Sequence, residues 1–250
     1  MKILPPQYLY KFKTVDNDKQ LEYILDILDN NRIYLPTYKE LNDPLEGGVI
    51  DIDLSGFAGK WYYQMNNLEY PTIANKKEEY RILSLTDRAT SPAIWAHYTS
   101  DYKGISLCYS TKNKFGNASP VIYRDKRETY YEPSIDFVTQ LIESSFLYKQ
   151  KDWAYEDEWR IIEKTNDKYF LYTPGDLAAI IIGSNLKERY KEKIVDACKN
   201  MEVPLFKVLP GYITASINIL PYDSETPDIN GAALPFINNL TSYLNEQTHR

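Results

Sequence analysis

The chain has 250 residues, 43% hydrophobic and 26% charged, a balance that supports a buried core and excludes a disordered chain. A net charge of −6 and a pI near 5.1 exclude a general attraction to nucleic acid or an anionic membrane. With only His97, His249, Cys108 and Cys198 available, a His-rich or thiolate metal centre and a disulfide framework are excluded.

A reducing, cytoplasmic setting is therefore expected. No run approaches the roughly 18 apolar residues of a membrane helix, and the first residues lack the apolar stretch of a signal peptide. A soluble protein with no membrane partner is expected. The 23 tyrosines read either as packing aromatics or as the lining of a ligand cleft.

In chain order, Leu9 to Lys13 reads as a strand. Leu21, Ile24, Leu25 and Leu28 repeat at helical spacing, with caps on offer from Asp16 to Asp18. Arg32 to Leu35 reads as a strand stopped by Pro36. Asn42-Asp43-Pro44-Leu45-Glu46 is a turn cluster. Residues 54–80 read as helical. Arg81 to Leu85 is a strand, and Ser91-Pro92 opens a short helix carrying Ile94, Trp95 and His97. Ile105 to Tyr109 and Val121 to Tyr123 are strands. Ser134 caps a helix with Ile135, Val138, Leu141, Ile142 and Phe146 on one stripe.

Tyr155 to Glu163, Lys168 to Tyr172 and Ala178 to Ile182 read as strands, the last apolar enough to be central. A charged helix follows Gly183-Ser184-Asn185 and ends near Met201. Leu205 to Leu209 and Ser216 to Leu220 are late strands, and Ala232 to Asn245 reads as a terminal helix. No low-complexity linker or repeat divides the chain. The expectation is one α+β domain over 1–250, a mixed, mostly antiparallel sheet flanked by helices, with 221–250 as a helical extension.

The dinucleotide fingerprint, the phosphate loop, the Gly-x-Ser-x-Gly elbow, His-Glu-x-x-His and the calcium loop are all missing from the sequence. Four segments remain for chemistry. Strand alternation puts Glu156, Glu158, Arg160 and Ile162 on one face, neighbours about 6.5–7 Å apart along the backbone. They read as a catalytic carboxylate with a polar neighbour and an orienting arginine, or as a solvated pair worth under about 1 kcal/mol. Ile94-Trp95-Ala96-His97-Tyr98 reads as a ligand grip or as a buried histidine satisfied by backbone. Asp43 reads as a turn residue. Lys11, beside Tyr10, reads as a phosphate partner or as an edge-strand lysine.

Leu9-Tyr10-Lys11-Phe12, Asn42-Asp43-Pro44-Leu45-Glu46, Ser84-Leu85-Thr86, Trp95-x-His97-Tyr98 with Lys103-Gly104-Ile105, and Tyr155-Glu156-x-Glu158-Trp159-Arg160 occur in that order. Together they resemble a widespread bacterial family, "domain of unknown function 2971", over about residues 8–220. The layout is also similar to small ADP-ribosyltransferase-like domains, whose late glutamate holds the nicotinamide ribose. That resemblance implies an ADP-ribosyltransferase-like fold and a NAD-consuming transferase in a bacterial stress or phage-defence context, with NAD as co-substrate. Glu158 would stabilise oxocarbenium charge and Glu156 would position the acceptor. Arg160 or Lys11 would face pyrophosphate, His97 the adenosine-side ribose, Tyr98 the nicotinamide, and Tyr10 would line the ligand site. Two other readings stand beside it. One is a non-catalytic ligand- or protein-binding module of a defence system. The other is a metal-dependent nuclease using Asp43, Glu46 and Glu158.

Overall fold

The computed structural model describes residues 3–43, 45, 47, 75–124, 137–211 and 216–223, with backbone alone at 137, 138, 140 and 141. The fold class is α+β, with mixed, mostly antiparallel strand pairing. In chain order the elements are β1 (Tyr8–Thr14), α1 (Asp18–Asn30), β2 (Arg32–Tyr34), β3 (Tyr80–Thr86), α2 (Pro92–Tyr98), β4 (Gly104–Ser110), β5 (Ser119–Pro120) and β6 (Ile122–Tyr123). Then come α3 (Phe137–Ser145), β7 (Tyr148–Lys149), β8 (Glu158–Lys164), β9 (Tyr169–Leu171), β10 (Leu177–Ile182), α4 (Glu188–Asn200), β11 (Leu205–Gly211) and β12 (Ser216–Pro221).

The described residues group into two compact units, each built of separate chain segments. The first takes those within Met1–Ile3, Tyr34–Ser84 and Ala118–Phe170, and the second those within Leu4–Ile33, Leu85–Asn117 and Leu171–Arg250.

The second unit holds strands in the order β12-β11-β10-β4-β1, with Tyr10 of β1 also paired to Thr86. Strand β10 runs parallel to β11 and antiparallel to β4. Its apolar run Ile180-Ile181-Ile182 is buried throughout, as a strand with neighbours on both sides requires. Helix α1 buries Leu21, Ile24, Ile27 and Leu28 and packs against α4. Its cap is Asn17, whose Oδ1 accepts from the Gln20 N–H at 3.0 Å. It stops where Asn31 turns left-handed at φ 48° and donates its N–H to the Ile27 carbonyl. In α4 the buried stripe is Tyr190, Ile194, Val195 and Cys198.

Lys11 is not an edge-strand lysine. Its strand is bonded to β4 along the whole length from Tyr8↔Ser110 to Thr14↔Gly104, and at Tyr10 to Thr86 on the other side. The alternating pattern Tyr-Lys-Phe-Lys mimics an edge, but the alternate residues Tyr8, Tyr10 and Phe12 are buried.

Gly104 shows how closely the strands approach. A Cβ there would lie 2.1 Å from the Lys13 carbonyl oxygen, a backbone atom that cannot swing aside. Gly104→Ala should therefore destabilise the fold by more than about 2 kcal/mol in urea unfolding, because β1 and β4 would have to part.

The first unit contains the order β3-β8-β5, with Ser119↔Arg160 and Pro120↔Trp159 antiparallel, and a small parallel pair of β6 with β7. Pro120 sits on the outermost strand, where a missing N–H costs least. The core centres on Phe146, whose ring lies 5.8 Å from Tyr80 and 5.9 Å from Tyr38. Of the helix expected after Ser134, Phe137–Ser145 is described and Ile142 is buried; Ile135 and the side chains of Val138 and Leu141 lie outside the described residues, as do most of 54–80 and all of 232–245.

Candidate functional site: a buried ionic quartet and an exposed histidine

The strand expected from Tyr155 begins only at Glu158. Lys151–Glu156 winds into a 3-10 turn, and Asp157 closes it in the left-handed region at φ 40°. Aspartate tolerates that region because its short side chain bonds locally. Period-two alternation therefore holds for Glu158 and Arg160 but not for Glu156.

Glu156 nevertheless meets Glu158, through a residue the sequence reading did not single out. Lys149 ends β7, where it pairs with Tyr123 of β6. Its Nζ donates to Glu156 Oε2 at 2.6 Å and to Glu158 Oε2 at 3.1 Å, and it lies 4.7 Å from the centroid of the Trp153 ring. Arg160 completes the group. Its Nε donates to Glu158 Oε1 at 2.7 Å and its Nη2 to Glu158 Oε2 at 2.8 Å, a two-point fork. Its Nη1 donates to the Phe146 carbonyl at 2.6 Å. The Glu158 N–H donates to the Tyr123 hydroxyl at 2.8 Å.

All four charged residues are buried, Glu158 to 6% exposure and Arg160 to 1%. The solvated face is thus excluded as a description of this strand. Two negative and two positive charges cancel. Burial alone would raise the Glu158 pKa, but the charge and hydrogen bonds of Arg160, with Lys149 and the Ser84 hydroxyl, hold it down to about 2. Burial pulls the Lys149 ammonium downward, yet the charges of Glu158 and Glu156 win and raise it. Burial dominates at Tyr123 and raises its phenol.

The other candidates belong to the second unit. His97 is exposed, so the buried, backbone-satisfied histidine is not what the fold contains; Tyr98 is half-buried. Both sit on α2, a short helix fixed at several points. Ser91 Oγ accepts from the Ile94 N–H at 3.4 Å, and the fully buried Trp95 donates its Nε1–H to the Ala89 carbonyl at 2.8 Å. After the helix, Ser100, Asp101 and Tyr102 take φ values of 51°, 62° and 62°. Three successive non-glycine residues in the left-handed region cost about 1–2 kcal/mol each. The surroundings hold them there. Tyr102 stacks on Trp95 at 5.9 Å and 6°, the Asp101 N–H donates to the Ala96 carbonyl at 2.9 Å, and Asn185 Nδ2 donates to the Asp101 carbonyl at 3.0 Å. Trp95 and Tyr102 thus build a platform behind the helix, and His97 is exposed on it.

Tyr10 is 5% exposed on a central strand, and burial raises its phenol. Lys11 is half-buried on the opposite strand face from Tyr10. Burial likewise raises the thiols of Cys108 and Cys198, which removes both as nucleophiles near neutral pH. Asp43 is 6% exposed, and its Oδ1 accepts from the Leu45 N–H at 2.9 Å, the self-bonded turn its sequence suggests. Glu46 lies outside the described residues. Among the described residues no group of three or more His, Cys, Asp and Glu is placed to hold a metal ion, and no helix is long and apolar enough to cross a membrane.

The structure brings together Glu156, Glu158 and Arg160, and adds Lys149, Tyr123 and Ser84. Lys149 went unnoticed because a two-residue strand has no periodicity to read. The remaining candidates, His97, Tyr98, Lys11 and Tyr10, belong to the other unit. Comparison with known proteins finds no family model, no curated protein and no solved structure that matches the chain.

Proposed function

We propose that the chain is a non-catalytic binding module, of the kind that serves as sensor or partner in a bacterial defence system. Its Glu156–Lys149–Glu158–Arg160 quartet is a structural clamp. Its recognition surface is the α2 platform that displays His97 and Tyr98. One observation carries this reading: the acceptor capacity of Glu158 is used up inside the fold. A carboxylate offers about four lone-pair sites. Arg160 takes two, Lys149 one and the Ser84 hydroxyl one. A transferase glutamate has to accept from a ribose hydroxyl, and here it would first have to give up a donor it already holds. The strained turn behind α2 adds a second argument, since backbone strain persists where the fold over-determines a presented surface. A histidine and a tyrosine on such a surface suit a partner recognised by hydrogen bonds and ring stacking.

The rival reading, a NAD-consuming transferase with Glu158 as its catalytic residue, draws support from the two carboxylates that share the Lys149 amine. Incubating the wild-type chain with NAD, alone and with bacterial extract as a source of acceptors, separates the two. Free nicotinamide measured by chromatography should stay at the level of a protein-free blank. Release above the blank would overturn the binding-module reading.

A further inference from the structure

Arg81 of β3 belongs to the first unit and lies outside both groups described above. Its chain neighbours Tyr80 and Ile82 are buried, and so is Leu83, which shares its strand face. The side chain therefore leaves from apolar surroundings, and the residue is half-buried. Its Nε is buried and has no hydrogen-bond partner. Among the described residues no carboxylate pairs with it, whereas Arg32, Arg160 and Arg189 each have one. A partly desolvated guanidinium without a counterion is costly, because its donors give up water and gain nothing in return.

The polar groups around it are already committed. Glu40 is held below the ordinary carboxylate range, first by the Tyr34 hydroxyl, then by Thr37, and also by the Arg81 charge, which puts the guanidinium in its vicinity. Yet Glu40 does not turn to Arg81. Its Oε1 accepts from the Tyr34 hydroxyl at 2.7 Å, and its Oε2 accepts from the Thr37 N–H at 2.7 Å and the Thr37 hydroxyl at 2.8 Å. The Leu35 N–H donates to the Lys168 carbonyl at 2.8 Å, which sets Tyr34 beside Tyr169. Their rings meet edge-on, 6.2 Å apart and at 79°, and Tyr169 is 37% exposed. The unpaired arginine thus borders an anchored carboxylate and an accessible aromatic wall.

We propose that Arg81 anchors a binding site for a small aromatic carboxylate, with Tyr34 and Tyr169 as its ring wall. A planar carboxylate accepts two parallel bonds from a guanidinium, and supplies the counterion that the fold does not. Glu40 selects for it. A phosphate would bring a second negative charge beside an anchored one, and the two repel. A ring on the ligand gains contact with the exposed tyrosine ring. The site is independent of the α2 surface proposed above.

The test is titration of the whole folded chain with benzoate at neutral pH, followed by NMR at the Arg81 Nε–H and the Tyr169 backbone N–H. Both signals should shift and saturate in wild type. Arg81→Lys keeps the charge but loses the fork, so benzoate should bind about tenfold more weakly, read at Tyr169. Glu40→Gln removes the neighbouring charge and should tighten binding by about threefold. Acetate, which has no ring, should bind more weakly than benzoate. A wild-type shift that does not saturate would mean an adventitious additive only and overturns the proposal. Unchanged affinity in folded Arg81→Lys does the same, as does inorganic phosphate binding as tightly as benzoate. The wild-type and Glu40→Gln titrations decide the matter even if Arg81→Lys does not fold.

Discussion

Arg160→Met is expected to destabilise the chain by roughly 3–5 kcal/mol, a large share of the 5–15 kcal/mol that holds a typical domain together. The reason is arithmetic of charge. With Arg160 present, two carboxylates face two cations in a buried space. Without it, Glu158 loses its two-point partner, and the Phe146 carbonyl loses the Arg160 donor. The buried Glu158 carboxylate is then left with less compensating positive charge. The contrast that makes the prediction specific is the double change Glu158→Leu with Arg160→Met. It removes charge of both signs and replaces them with apolar groups of similar size, so it should be markedly less costly than Arg160→Met alone. Urea unfolding followed by circular dichroism measures both. A cost under about 1 kcal/mol for Arg160→Met would mean that the quartet is not the clamp described above.

Acid should expose the same quartet. The Glu158 pKa is about 2 in the fold against an ordinary 4.5. Its folded value is depressed, so the unfolded chain binds more protons between these two values. The stabilisation from Glu158 is therefore present above about pH 4.5 and is lost progressively as pH falls toward 2. Its size is on the order of 3 kcal/mol from the shift. Lys149 acts in the opposite sense. Its pKa is raised, so its contribution is present below the ordinary 10.5 and fades only as pH climbs beyond that value. Unfolding free energy measured from pH 6 down to pH 2 should show the acid loss in wild type. Glu158→Gln should be less stable at pH 6 yet show a shallower slope below pH 4.5. An unchanged slope in that variant would place the acid sensitivity elsewhere.

The regular elements were legible where the sequence repeats itself. Leu21, Ile24 and Leu28 announce α1, and Ser91-Pro92 announces the start of α2 with the cap it uses. The run Ile180-Ile181-Ile182 announces a central strand. What failed was short or nonperiodic. The 3-10 turn at Lys151–Glu156 looks like the start of a strand, because Tyr155, Asp157, Trp159 and Ile161 alternate correctly by chance. Lys149 was invisible because its importance comes from where β7 places it, beside Tyr123 and under Glu158, and that is long-range information. Local chemistry made Glu158 and Arg160 conspicuous, since glutamate is depleted in strands. The same chemistry could not say whether the pair faces water, substrate or each other.

The coupling energy between Glu158 and Arg160 tests the central claim most directly. Glu158→Gln, Arg160→Gln and the double variant, compared by urea unfolding at neutral pH, give the interaction that the two single changes fail to sum to. A carboxylate locked to its guanidinium inside the fold should give a coupling of about 2 kcal/mol or more. A coupling under about 0.5 kcal/mol would show that Glu158 is not held by Arg160, and would return its carboxylate to the pool of groups available for chemistry.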